Sequence, residues 1–97
     1  MTAFIHSQNK WFCKTCEARF KTYGYAVVST ASPVEIAIID LDSWPLPEVT
    51  AEVTAYISAS DDAIQELPDH ALFRLKPVDE DALVDWAIGR FEGKELG

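Results

Sequence analysis

The sequence predicts an α+β domain: a small, mostly antiparallel sheet of about four strands, with helices near both ends. Three observations predict it. Apolar and β-branched residues cluster in short runs at 25–30, 34–41, 48–58 and 71–76, bounded by Pro, Ser and Asp. Sustained helical spacing of apolar residues is confined to a stretch near each end. The 97 residues, 48% of them apolar, form one domain over 1–97, able to bury a core and free of repeats or linkers.

The elements follow in order. Residues 2–6 (TAFIH) allow a short strand. Residues 7–21 read as a helix, because Ser7 or Asn9 can cap the free amides of a first turn. Its stripe is Phe12, Cys13, Cys16 and Phe20, and Gly24 after Tyr23 can end it in a left-handed conformation. Residues 25–30 (YAVVST) are aromatic and β-branched, hence a strand. Ala31-Ser32-Pro33 signals a turn, and 34–41 (VEIAIIDL) a second strand that pairs with the first as a hairpin. Both faces of 34–41 are apolar, so it sits centrally in the sheet. Pro45 and Pro47 make 42–47 a loop.

Residues 48–58 fit either period, and their β-branched pairs favour a strand while Pro47 favours a helix start. Ser60 caps a short helix with Asp61 and Asp62 in its first turn, ended by Pro68. Residues 71–76 (ALFRLK) alternate and read as a strand closed by Pro77. Asp79 caps a last helix from Glu80 to about Phe91, with Leu83, Trp86, Ala87 and Phe91 buried and Asp81 and Asp85 on one outer face.

Charge is distributed unevenly. From Glu35 to Asp85, thirteen acids face only Arg74 and Lys76, a balance of −11, whereas the first 34 residues carry +3 and the last twelve cancel, for a net −8. That field disfavours nucleic acid and anionic membranes as direct partners and favours basic ones. No run approaches the roughly 20 apolar residues of a membrane span, and no basic segment precedes an apolar one as in a signal peptide. A cytoplasmic protein of a bacterial host with reduced thiols is expected.

Catalytic and metal motifs are sparse. Cys13-Lys14-Thr15-Cys16 lacks the second pair that a zinc site needs, unless His6 and His70 supply it. A thioredoxin-like redox pair requires an alternating parallel order that the elements above do not provide. Asp40-Leu41-Asp42 offers only the first two ligands of a calcium loop. No G-x-S-x-G and no glycine-rich phosphate loop occurs. The expectation is a non-enzyme without cofactor or metal.

The acids themselves suggest a use. On a strand, Asp40 and Asp42 lie about 6.6 Å apart on one side. On a helix, Asp62 and Glu66, or Asp81 and Asp85, are about 6 Å apart along one face. One phosphate strand of B-DNA carries a charge about every 3.4 Å. Two adjacent acidic rows would approach that density and compete with DNA for a basic groove. The predicted contact residues are Asp40, Asp42, Glu48, Glu52, Asp61, Asp62, Glu66, Asp79, Glu80, Asp81 and Asp85.

In these residues the chain resembles phage-encoded DNA-mimic inhibitors, in particular small anti-CRISPR proteins. The resemblance is one of acidic character over the middle of the chain, without a shared motif. It implies an inhibitor that blocks target DNA binding by a type I CRISPR surveillance complex, a basic DNA-binding partner. Two other readings stand beside it: a small zinc- or thiol-dependent protein built on Cys13 and Cys16, and an acidic protein–protein adaptor using exposed aromatics such as Trp44 or Trp86.

Overall fold

A computed structural model describes residues 1–29, 33–62, 67 and 71–93. Five strands run β1 (Thr2–His6), β2 (Ala26–Val28), β3 (Val34–Asp40), β4 (Ala51–Ser58) and β5 (Leu72–Leu75), with helices α1 (Lys10–Thr22) and α2 (Glu80–Gly93). They form one sheet in the order β2-β1-β3-β4-β5, and every neighbouring pair is parallel. This is a doubly wound α/β sheet whose strand order reverses between β1 and β3.

The expected α+β class with a mostly antiparallel sheet of four strands is therefore corrected. The predicted 25–30/34–41 hairpin does not form, because β1 lies between β2 and β3 and pairs with both. A parallel neighbour requires the chain to return past the sheet, usually through a helix. Among the described residues a helix joins β1 and β2, whereas the return from β3 to β4 is residues 41–50, without regular structure. The strand reading of 48–58 matches β4, which begins at Ala51. The short helix after Ser60 is described only as a 3₁₀ turn at Asp61 and Asp62; its remainder, and the turn at 31–32, lie outside the described residues.

Alternation sorts the strand residues onto two faces. On one, Ala3, Ile36, Ile38, Ala55, Ile57 and Leu72 pack against Phe12, Cys16 and Phe20 of α1 and Leu83, Val84, Ala87 and Ile88 of α2. On the other, Phe4, Ala37 and Ile39 are buried with Leu41, Leu46, Val49 and Tyr56, so the 41–50 loop does the covering that a helix would otherwise do.

The helices begin where their capping residues allow. Asn9 accepts the Phe12 amide at 3.1 Å, and Asp79 accepts the Ala82 amide at 3.0 Å. Gly24 follows α1 at φ 84°, a conformation costly for residues with a Cβ. Trp86 and Phe91 are only partly buried; Val84 and Ile88 take the core positions beside Leu83 and Ala87. Asp85 faces α1 rather than an outer surface, gripped by Arg19 through two 2.8 Å bonds and by the Tyr23 hydroxyl at 2.8 Å.

Candidate site at the carboxyl ends of the strands

Parallel strands deliver their last residues to the same end of the sheet. In register, His6 stands beside Ile39, Asp40 beside Ile57 and Ser58 beside Leu75. Four polar residues that each end or follow an apolar strand are thereby collected: Ser7, Asp40, Ser58 and Lys76. In open sheets of this kind ligands bind outside the carboxyl ends, where the strand order reverses. That point lies between β1 and β3.

Asp40 is the centre. It is 4% exposed, and its two oxygens accept four hydrogen bonds. Oδ1 takes the Lys76 ammonium at 2.7 Å and the Asp42 amide at 3.0 Å. Oδ2 takes the Ser7 hydroxyl at 2.8 Å and the Ser43 hydroxyl at 3.0 Å. An ionised carboxylate offers about four lone-pair positions, so this one is saturated. Burial works against its charge, but the bonds from Lys76, Ser7, the Asp42 amide and Ser43 outweigh it and hold the carboxyl below its ordinary range.

Asp42 turns its carboxylate to the other side. Oδ2 accepts the Ala59 amide at 2.8 Å and lies 3.0 Å from Lys76 Nζ; Oδ1 accepts the Ser58 hydroxyl at 3.0 Å. The Ala59 amide first, then Lys76, lowers its pKa. Lys76 is thus shared by two carboxylates. Burial would release its proton, and the bonds to Asp40 and Asp42 retain it, so its pKa rises. The cluster's net charge is −1, since one ammonium answers two carboxylates.

A second layer ties the 43–44 backbone to the end of β1. His6 Nε2 lies 2.6 Å from the Ser43 carbonyl, the Gln8 amide donates to Ser43 Oγ at 2.9 Å, and Gln8 Nε2 donates to the Trp44 carbonyl at 2.9 Å. A cleft of about 390 Å³ opens beside the cluster, lined by Ser7, Asn9, Phe12, Asp40, Lys76 and Glu80 among others. A larger cleft of about 620 Å³ lies at the other end of the sheet, by the start of β4 and the end of α2. Its described lining includes Glu52 and Arg90, and it is not at the carboxyl ends, where such sheets bind ligands.

The eleven acids predicted as a contact surface are distributed as follows. Asp40 and Asp42 are in the cluster. Asp61 and Asp62 are exposed after β4, and Asp79, Glu80 and Asp81 start α2. Glu48 and Glu52 are exposed before and within β4, Asp85 is paired with Arg19, and Glu66 lies outside the described residues. The fold therefore brings together Asp40 and Asp42, which neighbour each other in sequence already. What the acids alone did not reveal is their partners: Ser7, Ser43, Ser58 and Lys76. The available signal was positional, a polar residue closing each apolar run.

Calcium at Asp40-Leu41-Asp42 meets the same geometry, for the Lys76 ammonium already bridges the two carboxylates. Among the described residues no group of three or more His, Cys, Asp or Glu is placed to hold a metal. His70, one of the four ligands considered for zinc, lies outside them. The parallel order that the thioredoxin-like reading lacked is present after all. The thiols argue against it on other grounds: burial pushes Cys16 up to about 12 and raises Cys13. Of the aromatics considered for an adaptor, Trp44 is 68% exposed, whereas Trp86 is half-buried with the Arg74 guanidinium 3.7 Å from its ring centre. Among the described residues no helix is long and apolar enough to cross a membrane.

The same architecture is found in solved structures of response regulators. The chain is similar to the receiver domain of the Francisella response regulator 1452, at 12% identity and TM-score 0.69, covering 96% of this chain and 98% of that one. It is similar to a CheY-like response regulator receiver domain protein from Methanospirillum hungatei JF-1, at 14% identity and TM-score 0.69, covering 98% and 96%. A response regulator from Thermotoga maritima matches at 13% identity and TM-score 0.65, covering 95% and 97%. No protein-family model and no curated protein matches the sequence. At such identities the likeness shows the fold, which is that of receiver domains.

These findings overturn the resemblance to anti-CRISPR DNA mimics, and with it the inhibitor of a type I CRISPR surveillance complex. The physical reason is visible in three acids of the acidic stretch. Asp40, Asp42 and Asp85 are turned inward onto Lys76 and Arg19 and hold elements together. Acidic composition was read as surface where part of it is internal wiring.

Proposed function

We propose that the chain is a signalling domain of the receiver type, a non-catalytic module that conveys a state by contact with another protein. The observation that carries this reading is the convergence of Ser7, Asp40, Ser58 and Lys76 at the carboxyl end of a parallel sheet in the order 2-1-3-4-5. A buried, fully bonded carboxylate joined to a lysine from a distant strand couples β1, β3 and β5 in one network. Any change in that network is felt at the exposed rim, where Trp44 is attached to it through Ser43. The saturation of Asp40 favours a positional role over a catalytic one, since no acceptor position is left for a substrate proton. The partner is a protein that reads this rim, and the setting is the cytoplasm.

Photo-crosslinking tests the reading. A benzophenone-bearing residue is placed at position 44, and the same residue at exposed position 92 serves as control. One protein should be captured from position 44 and not from 92, with the yield falling when Lys76 is replaced by Met. Equal capture from both positions, or none from 44, would refute it.

A further inference from the structure

Asp42 is exposed, with 40% of its side-chain surface open to solvent, yet three donors converge on its carboxylate. The Ser58 hydroxyl ends β4, the Ala59 amide follows it, and the Lys76 ammonium comes from the residue after β5, at 3.0, 2.8 and 3.0 Å. None of the three lies on the 41–50 loop that carries Asp42. A hydroxyl, a main-chain amide and an ammonium that share two oxygens form an oxyanion cradle with charge-assisted bonds. Nothing in it depends on the covalent tie to Asp42. It would hold a soluble oxyanion in the same way.

We infer that Asp42 is a built-in occupant of this cradle: its carboxylate latches the 41–50 loop across the end of β4 and β5 and excludes soluble oxyanions. The inference deepens the signalling reading, on which it rests for the importance of this end of the sheet. It gives the site a defined closed state. An intramolecular ligand competes at an effective concentration of millimolar or more, so a weakly bound soluble anion does not displace it. The loop is held on its other side by the Gln8 and His6 contacts to residues 43 and 44. Release of Asp42 therefore frees one flank only, and the flank at 43–44 stays held against the end of β1.

Inorganic phosphate is the probe, added at constant ionic strength to isotope-labelled full-length protein while the Ala59 and Lys76 amide resonances are followed. The wild type should show no saturable shift at millimolar phosphate. Asp42→Ala should bind with an affinity at least about tenfold higher than the wild type, and Asp42→Ala/Ser58→Ala should lose that gain. Identical titrations of the wild type and Asp42→Ala would overturn the latch, as would a folded Asp42→Ala protein without a saturable shift at Ala59. Should Asp42→Ala fail to fold, Asp42→Asn carries the test. It abolishes the ion pair, so the Ala59 amide should exchange with solvent about tenfold faster, and an unchanged rate would overturn the inference. Specific capture from position 44 together with a failed titration would leave the signalling reading standing and remove the latch alone.

Discussion

Replacing Lys76 with Met removes the one cation of the cluster and leaves Asp40 buried beside its remaining donors. Breaking a fully buried ion pair on one side costs about 3–5 kcal/mol. Two features reduce that here. The Lys76 side chain is 29% exposed, and Asp40 keeps the Ser7 and Ser43 hydroxyls and the Asp42 amide. The expected cost is about 2 kcal/mol, which for a domain of this size lowers Tm by roughly 10 °C. Urea unfolding followed by circular dichroism measures it, with an unchanged slope showing that the native state is intact. The pH dependence has a definite sign. Asp40 and Asp42 are held below the ordinary carboxylate range, so their stabilisation is present above the unfolded value and lost as pH falls through the folded one. Lys76 is raised, so its share is present below its unfolded value and lost as pH rises through the folded one. The gap between wild type and Lys76→Met should be flat between about pH 5 and pH 10 and close below about pH 4. A gap under about 0.5 kcal/mol at neutral pH, or one that persists in acid, would show that Asp40 and Lys76 do not form the coupled pair described.

Three further outcomes are expected. Asn9→Ala removes the side-chain acceptor of the Phe12 amide and should cost about 1 kcal/mol in denaturant unfolding. Gly24→Ala meets open space but must hold φ 84°, so it should cost about 1 kcal/mol from backbone strain alone. Cys16 is fully buried with its thiol pushed up to about 12, so iodoacetamide at neutral pH should spare it in the native protein and modify it after denaturation.

Much of the local structure was legible in the sequence. Of the predicted stripe, Phe12, Cys16 and Phe20 face the sheet while Cys13 is only partly buried, and Asn9 and Asp79 cap the helices that follow them. Val34 to Leu41, apolar on both sides, gave away a central strand, and β3 is the middle of five. Strand direction was not legible. Alternation says which side chains share a face and nothing about which way a neighbour runs. The usual cue for a parallel pair is a helix between two strands, and the chain returns from β3 to β4 without one, through a segment with Pro45 and Pro47. That segment buries Leu46 and Val49 on the sheet, so the apolar contacts that a crossover helix would supply are present without its periodicity.

The error in direction concealed the site, because direction decides which residues meet. In an antiparallel sheet the ends of successive runs alternate between opposite edges. Asp40 and Ser58 would then be separated by the length of a strand, roughly 20 Å for six residues. In the parallel sheet every run ends at the same edge, and the residue that stops each apolar stretch becomes a neighbour of the others. Ser7, Asp40, Ser58 and Lys76 were each visible as the polar stop of a strand, and each is unremarkable alone. Parallel order turns four stops into a network in which two hydroxyls, two carboxylates, an amide and an ammonium lie within 3.0 Å of their partners. The site is therefore a property of topology: Asp40, Asp42 and Ser43 adjoin along the chain, as do Ser58 and Ala59, and the parallel order brings these two groups, Ser7 and Lys76 together.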